Sequence, residues 1–338
     1  MANVKIMKCA RIQIEIQLSF SIQTIVPRLK HSLSLTLKHF LPLSGNLIWP
    51  ESSYKPLILY NEGNEDVVSF TVAETDADFH RLSGTNEFLE ATEYHPLIPN
   101  LAVSRERAAI LAFQVTLFPN FGFSIGTAKH HAAIDGKSVH MFLKTWTHIC
   151  QSQQQQQEYN YSYSPLELKP FFDRTVIVDS KGIDAIIAEQ LQELDGGPHN
   201  RSLIPWKIEV LTGAVRGSFQ LTRENINKLR QLLKESLQMH MQKIWLGKMV
   251  FFVAVKAISD AIRSLETAKE TILYGLENLA PMTLKSLVEG KGSHDESYSI
   301  AGAISLSDTR NGDGIEVGLV LKKHDMESFA FLFHQGLE

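Results

Sequence analysis

Phe121-Gly122-Phe123-Ser124-Ile125-Gly126-Thr127-Ala128-Lys129-His130-His131-Ala132-Ala133-Ile134-Asp135-Gly136 changes its period partway along, and that change decides the fold class. Phe121, Phe123, Ile125, Thr127, Lys129 and His131 alternate with Gly122, Ser124, Gly126, Ala128 and His130. A period of two is a strand, with His131 on the bulky face and His130 on the small-residue face. Downstream, Val139, Phe142, Leu143, Trp146, Ile149 and Cys150 recur at helical spacing and form one apolar stripe. A strand thus delivers a histidine to a turn and a helix, an edge position suited to a general base.

The same residues admit simpler roles. Asp135 can be the N-cap of the helix, accepting from the amides near Lys137 and Ser138. His131 can be a hydrogen-bonded core histidine. Metal binding by His130, His131, Asp135 and His140 is disfavoured, because adjacent strand residues point to opposite faces.

Working outward, Ile12, Ile14, Ile16, Leu18 and Phe20 alternate with polar residues as a strand, and Val26, Leu29, Leu33, Leu37 and Phe40 mark a helix. Pro27 is expected near the start of that helix and Pro42 at its end. Strands are expected at Pro56–Tyr60, Val67–Val72 and Ala109–Leu117. Gln151–Pro170, with five consecutive Gln, reads as an exposed crossover (151–170) between an N-terminal half (1–150) and a C-terminal half (171–338). In the C-terminal half Val215–Leu221 is a strand. Thr222 caps a helix through Ile226, Leu229 and Leu233, and Val250–Leu265 is a further helix. Ile315, Val317, Leu319 and Leu321 alternate on a last strand. Met326, Phe329, Ala330 and Phe333 form the inner face of a terminal helix capped by Asp325. Mixed strands and helices in this order are an α/β layer architecture.

The 338 residues are 44% hydrophobic and 21% charged, enough for a core, and the net charge of −4 carries no nucleic-acid footprint. Cys9 and Cys150 stand far apart in no metal or redox spacing, as reduced cytoplasmic thiols do. "MANVKIMKCARIQ" lacks the apolar run of a signal peptide, and the longest apolar run, Met249–Val255, is too short to cross a bilayer. The reading is a cytoplasmic chain, monomeric if it folds, with no membrane or nucleic-acid partner.

The runs "HSLSLTLKHFLPLSGNL", "HPLIPNLAVS", "GTAKHHAAIDGKSVHMFLKTWTHIC", "PFFDRTVI", "AVRGSFQLTRENINKLR" and "GAISLSDTRNGDGIEVGLVLKKHDMESFAFLFHQGL" resemble the plant BAHD acyltransferases in the family's own order. The resemblance is to the branch that malonylates or aromatically acylates phenolic and anthocyanin glucosides. It implies two chloramphenicol-acetyltransferase-like halves with an active-site channel between them. It also implies acyl transfer from acyl-CoA to a sugar hydroxyl, with malonyl-CoA or hydroxycinnamoyl-CoA as co-substrate and no bound cofactor or metal.

In this resemblance His131 is the general base, Asp135 the structural aspartate of the H-x-x-x-D motif, and Gly136 allows the tight turn. The family's aspartate turns from the substrate and holds its loop through an arginine of the second half. Arg174 is a candidate for binding a malonyl carboxylate, with pairing to Asp173 or solvation as the alternatives.

Two signatures are missing. "GKGSHDESYSIAGAIS" stands where D-F-G-W-G is expected, and "SLQMHMQKIWL" replaces the R-x-R and Y-F-G-N-C region. The D-F-G-W-G tryptophan has been proposed as an oxyanion donor, and Trp49, Trp146, Trp206 and Trp245 read as packing residues rather than replacements. The second half therefore reads as incomplete, and apolar faces around Met249–Val255 are expected to be uncovered between Ser236 and Ser299. Two functions remain open: a CoA-dependent O-acyltransferase, or a catalytically inactive relative acting as a decoy or binding protein, or without function.

Overall fold

The computed structural model describes residues 22–154 except 54, 62–67 and 85–86. It also describes scattered positions between 169 and 205, and residues 213–238, 303–309 and 312–337. The strand expected at 11–20, the helix expected at Val250–Leu265 and the apolar run Met249–Val255 lie outside the described residues. The chain divides into two compact units, Met1–Asp173 with Gln192–Val210, and Arg174–Leu191 with Leu211–Glu338.

In the first unit α1 (Ile22–His39) buries Ile25, Leu29 and Leu33 along one stripe. It starts earlier than the sequence suggested, so Pro27 stands inside the helix and not near its start. The missing proline N–H is tolerated because that stripe is held by packing. Leu41–Ser44 then makes one 3₁₀ turn with Pro42 near its start. The strands β1 (Asn46–Ile48), β2 (Leu57–Leu59) and β3 (Ser69–Glu74), the short helix α2 (Phe79–Ser83) and the two-residue strand β4 (Leu89–Glu90) follow. Ala91–Leu97 is a 3₁₀ helix. The run expected as one strand from Ala109 splits into β5 (Arg107–Ala109) and β6 (Leu111–Phe118), and β7 (Gly122–Lys129) and α3 (Gly136–Gln154) complete the unit. The break at Ile110 lets the two strands join different sheets: β2-β1-β5 is antiparallel, whereas β6 lies between parallel β3 and antiparallel β7. α3 runs on to Gln154, into the stretch read as crossover.

Every residue of β6 is buried, because it is the central strand of its sheet and is covered on both of its faces. Phe113, Val115, Phe123 and Ile125 pack with Ile25, Leu29 and Leu33 of α1 and Val139, Phe142 and Trp146 of α3. Phe113 stacks on Phe142 at 5.8 Å and meets Trp146 edge-on at 5.1 Å. The Trp146 indole N–H donates to Ser32 Oγ at 2.9 Å, which ties α3 to α1 and satisfies the one polar atom of this buried side chain. On the opposite face, the chain after Ala91–Leu97 lies so close that a Cβ on Gly126 would stand 2.0 Å from the Leu97 carbonyl oxygen. Gln114, paired across from Gly126, donates through Nε2 to the Pro96 carbonyl at 2.7 Å.

In the second unit β8 (Ala214–Thr222), α4 (Arg223–Gln238), β9 (Ala303–Asp308), β10 (Gly314–Lys322) and α5 (Lys323–Leu337) follow in order. β10 pairs antiparallel with both β8 and β9. Thr222 caps α4 as expected, accepting from the Asn225 amide at 3.1 Å. α5 begins at Lys323, so Asp325 is not its cap but an acid in its first turn, where it still complements the helix dipole. Its inner face is the expected one: Met326 is fully buried, and Phe329 and Phe333 each meet Phe219 of β8 at about 5 Å.

Candidate active site

The site is built where β7 gives way to α3. β7 ends at Lys129, and the His130 amide donates to the Ile110 carbonyl at 2.9 Å as the last cross-strand bond. The Ala133 amide then donates to the His130 carbonyl at 3.1 Å, closing a turn with His131 and Ala132 at its centre. His131 is therefore not on the strand, as its alternation suggested, but exposed at the head of the turn. The period of two is a local property, whereas the strand ends where β6 stops offering partners.

The hydrogen-bonded core histidine is His130, only 7% exposed. Its Nε2 lies 2.9 Å from the Leu203 carbonyl, and the Ala132 amide donates to its Nδ1 at 3.3 Å. These partners select the tautomer with hydrogen on Nε2, since Nδ1 must accept. Leu203 is itself buried, and its amide donates to the Arg105 carbonyl at 3.0 Å. The sequence pointed to this role only indirectly. The row of small residues from Gly122 to Ala128 on one face leaves room for a backbone to approach, and His130 ends that row.

Asp135 caps α3: the Ser138 amide donates to its Oδ1 at 2.7 Å and the Val139 amide to its carbonyl oxygen at 3.1 Å. Hydrogen bonds from the Ser138 hydroxyl and amide hold the Asp135 carboxyl below the ordinary carboxylate range, with the charges of Lys129 and His131 assisting against partial burial. Gly136 is not the turn-former expected of it. It is the first residue of α3, and nothing lies within 4 Å of where its Cβ would be. Arg174 lies outside the described residues, as do Trp206 and Trp245. Trp146 is a core residue, and Trp49 packs half-buried against the same cluster.

The cap makes a prediction with a definite pH sign. Asp135→Ala should destabilise the first unit by about 1 kcal/mol at neutral pH, while Asp135→Asn, an equally good cap, should cost little. Because the folded carboxyl titrates below its ordinary value, its contribution is present above the ordinary carboxylate range and is lost as pH falls through the folded value. Thermal melts from pH 7 to pH 3 should show the gap between wild type and Asp135→Ala closing on the acid side. If Asp135→Asn melted normally but lost as much catalysis as a His131 variant, the aspartate would have a catalytic part beyond capping.

An exposed imidazole, a capped helix start beside it and a buried histidine bracing the turn form an arrangement that can take a proton from a bound hydroxyl. Residues 14–237 match the family described as the transferase family. Over 93% of its length the chain is 31% identical to malonyl-CoA:anthocyanidin 5-O-glucoside-6''-O-malonyltransferase of Arabidopsis thaliana, covering 88% of that protein. It is 32% identical to phenolic glucoside malonyltransferase 1 of the same plant, covering 86% of it. The first alignment spans 409 positions against a chain of 338 residues, so the relative carries stretches with no counterpart here. Among solved structures, vinorine synthase is similar at 17% identity, over 92% of this chain and 85% of that one, with a TM-score of 0.50. That likeness shows the fold, the chloramphenicol-acetyltransferase-like α/β architecture. With more than half of its length inside the family match and relatives aligned nearly end to end, the chain belongs to the transferase family, among the BAHD acyltransferases.

Proposed function

We propose that this chain transfers an acyl group from an acyl-CoA thioester to a sugar hydroxyl of a phenolic or flavonoid glucoside, with His131 as general base. Malonyl-CoA is the proposed donor, because two relatives matched over 93% of the chain at 31% and 32% identity are malonyltransferases by name. Hydroxycinnamoyl-CoA is the alternative, supported by 28% identity to an agmatine coumaroyltransferase of Arabidopsis thaliana. The observation that carries the reading is His131, exposed at the head of the turn between β7 and a capped helix.

An alcohol is a weak nucleophile at neutral pH, so the imidazole of His131 takes its proton as the oxygen attacks the thioester carbonyl. A C–O bond forms and the carbonyl becomes a tetrahedral oxyanion. Its collapse breaks the C–S bond, releasing the CoA thiolate, which recovers the proton from His131. No acyl-enzyme is required, since holding both substrates together supplies much of the rate. The enzyme is proposed to work as a cytoplasmic monomer.

A second reading, a family member without activity, is favoured by the absence of D-F-G-W-G and by the stretches of the relatives that have no counterpart here. Losing one oxyanion donor costs about a hundredfold to a thousandfold in rate. Incubating the purified full chain with malonyl-CoA and a phenolic glucoside decides between them. Release of free CoA matched by malonylated glucoside supports the enzyme. A folded chain that forms no product with malonyl-CoA or hydroxycinnamoyl-CoA supports the inactive relative.

A further inference from the structure

We propose that His130 is a positioning residue whose buried ring, held between the Leu203 carbonyl and the Ala132 amide, fixes the turn that presents His131. Its consequence for turnover rests on the acyl-transfer reading above; its consequence for the turn does not.

The two ring nitrogens hold different things. Nδ1 accepts from the amide two residues ahead, at 3.3 Å, so the side chain itself closes a small ring around His131 in the manner of an Asx turn. Nε2 reaches the carbonyl of Leu203, 73 residues along the chain, at 2.9 Å. Leu203 is 4% exposed and is fastened from its other side by the bond from its amide to Arg105. The His131 backbone is therefore bracketed by a cross-strand bond at the His130 amide, a turn bond at the His130 carbonyl, and two bonds from the His130 ring. His131 itself is exposed, so this backbone sets where its Cα–Cβ bond points and hence where the imidazole is presented. His130 touches no reacting atom in this scheme and acts only through the turn.

The two bonds can be separated by substitution. Asparagine places an acceptor where Nδ1 stands and keeps the bond to Ala132, while glutamine places a donor near Nε2 and keeps the bond to Leu203. Full-length His130→Asn, His130→Gln and His130→Ala would be compared by amide hydrogen exchange across residues 128–136, and by kcat, KM and pH profile with malonyl-CoA and a phenolic glucoside. His130→Asn is expected to keep the Ala132 amide protected and most of the turnover. His130→Ala and His130→Gln should deprotect that amide and lower kcat by about tenfold to a hundredfold. KM and the inflection of the pH profile should not move, because the base is still His131.

Protection at Ala132 that survives in His130→Ala would overturn the proposal. So would a loss of kcat in His130→Asn as large as in His130→Ala while the turn stays protected. If the wild type turns over neither donor, the acyl-transfer reading fails alone, and the exchange data still decide whether His130 holds the turn.

Discussion

His131→Ala should lower acyl-transfer turnover by about a hundredfold or more, the loss expected when a positioned general base is removed. The substitution should leave folding intact. The side chain is exposed at the turn, and the bonds that close the turn belong to the backbone and ring of His130. Steady-state kinetics beside a melting curve check both halves of the expectation. A small change in kcat with an unchanged melt would remove His131 from the mechanism. The comparison with His130→Ala is informative because the two losses differ in kind. The first lowers rate without stability, whereas the second leaves the buried Leu203 carbonyl without its partner, a cost of about 1–3 kcal/mol.

The largest expected effect on stability is at Gly126. A methyl group there would meet the Leu97 carbonyl oxygen at 2.0 Å and the Ile98 Cα at 3.0 Å, and both are backbone atoms that no rotamer can move aside. Relief requires lifting the end of the 3₁₀ segment off the β6–β7 face, which also breaks the bond from Gln114 to the Pro96 carbonyl. Gly126→Ala should therefore cost about 3 kcal/mol or more and lower the melting temperature of the unit by about 10 °C. Gly136→Ala is the control, because its Cβ would enter open space at the first residue of α3. A near-neutral Gly126→Ala would mean that Pro96–Ile98 does not lie on this sheet.

The local features of this chain were legible from its residues. The strand-turn-helix around His131, the Thr222 cap, the inner face of α5 and the α/β class follow from side-chain period and capping chemistry, which act over a few positions. Family membership was legible too, because it rests on quoted runs and not on three-dimensional arrangement. Tertiary structure decided what depends on partners distant in sequence. β7 stops at Lys129 and β6 begins after Ile110 because strand ends are set by the neighbouring strand. His130 is the buried histidine because a carbonyl 73 residues away receives its Nε2 hydrogen. His131 was read onto the strand by alternation alone, yet it is exposed because the chain has already turned. A period states which side a residue faces while a strand lasts, and only the assembled sheet determines where the strand ends.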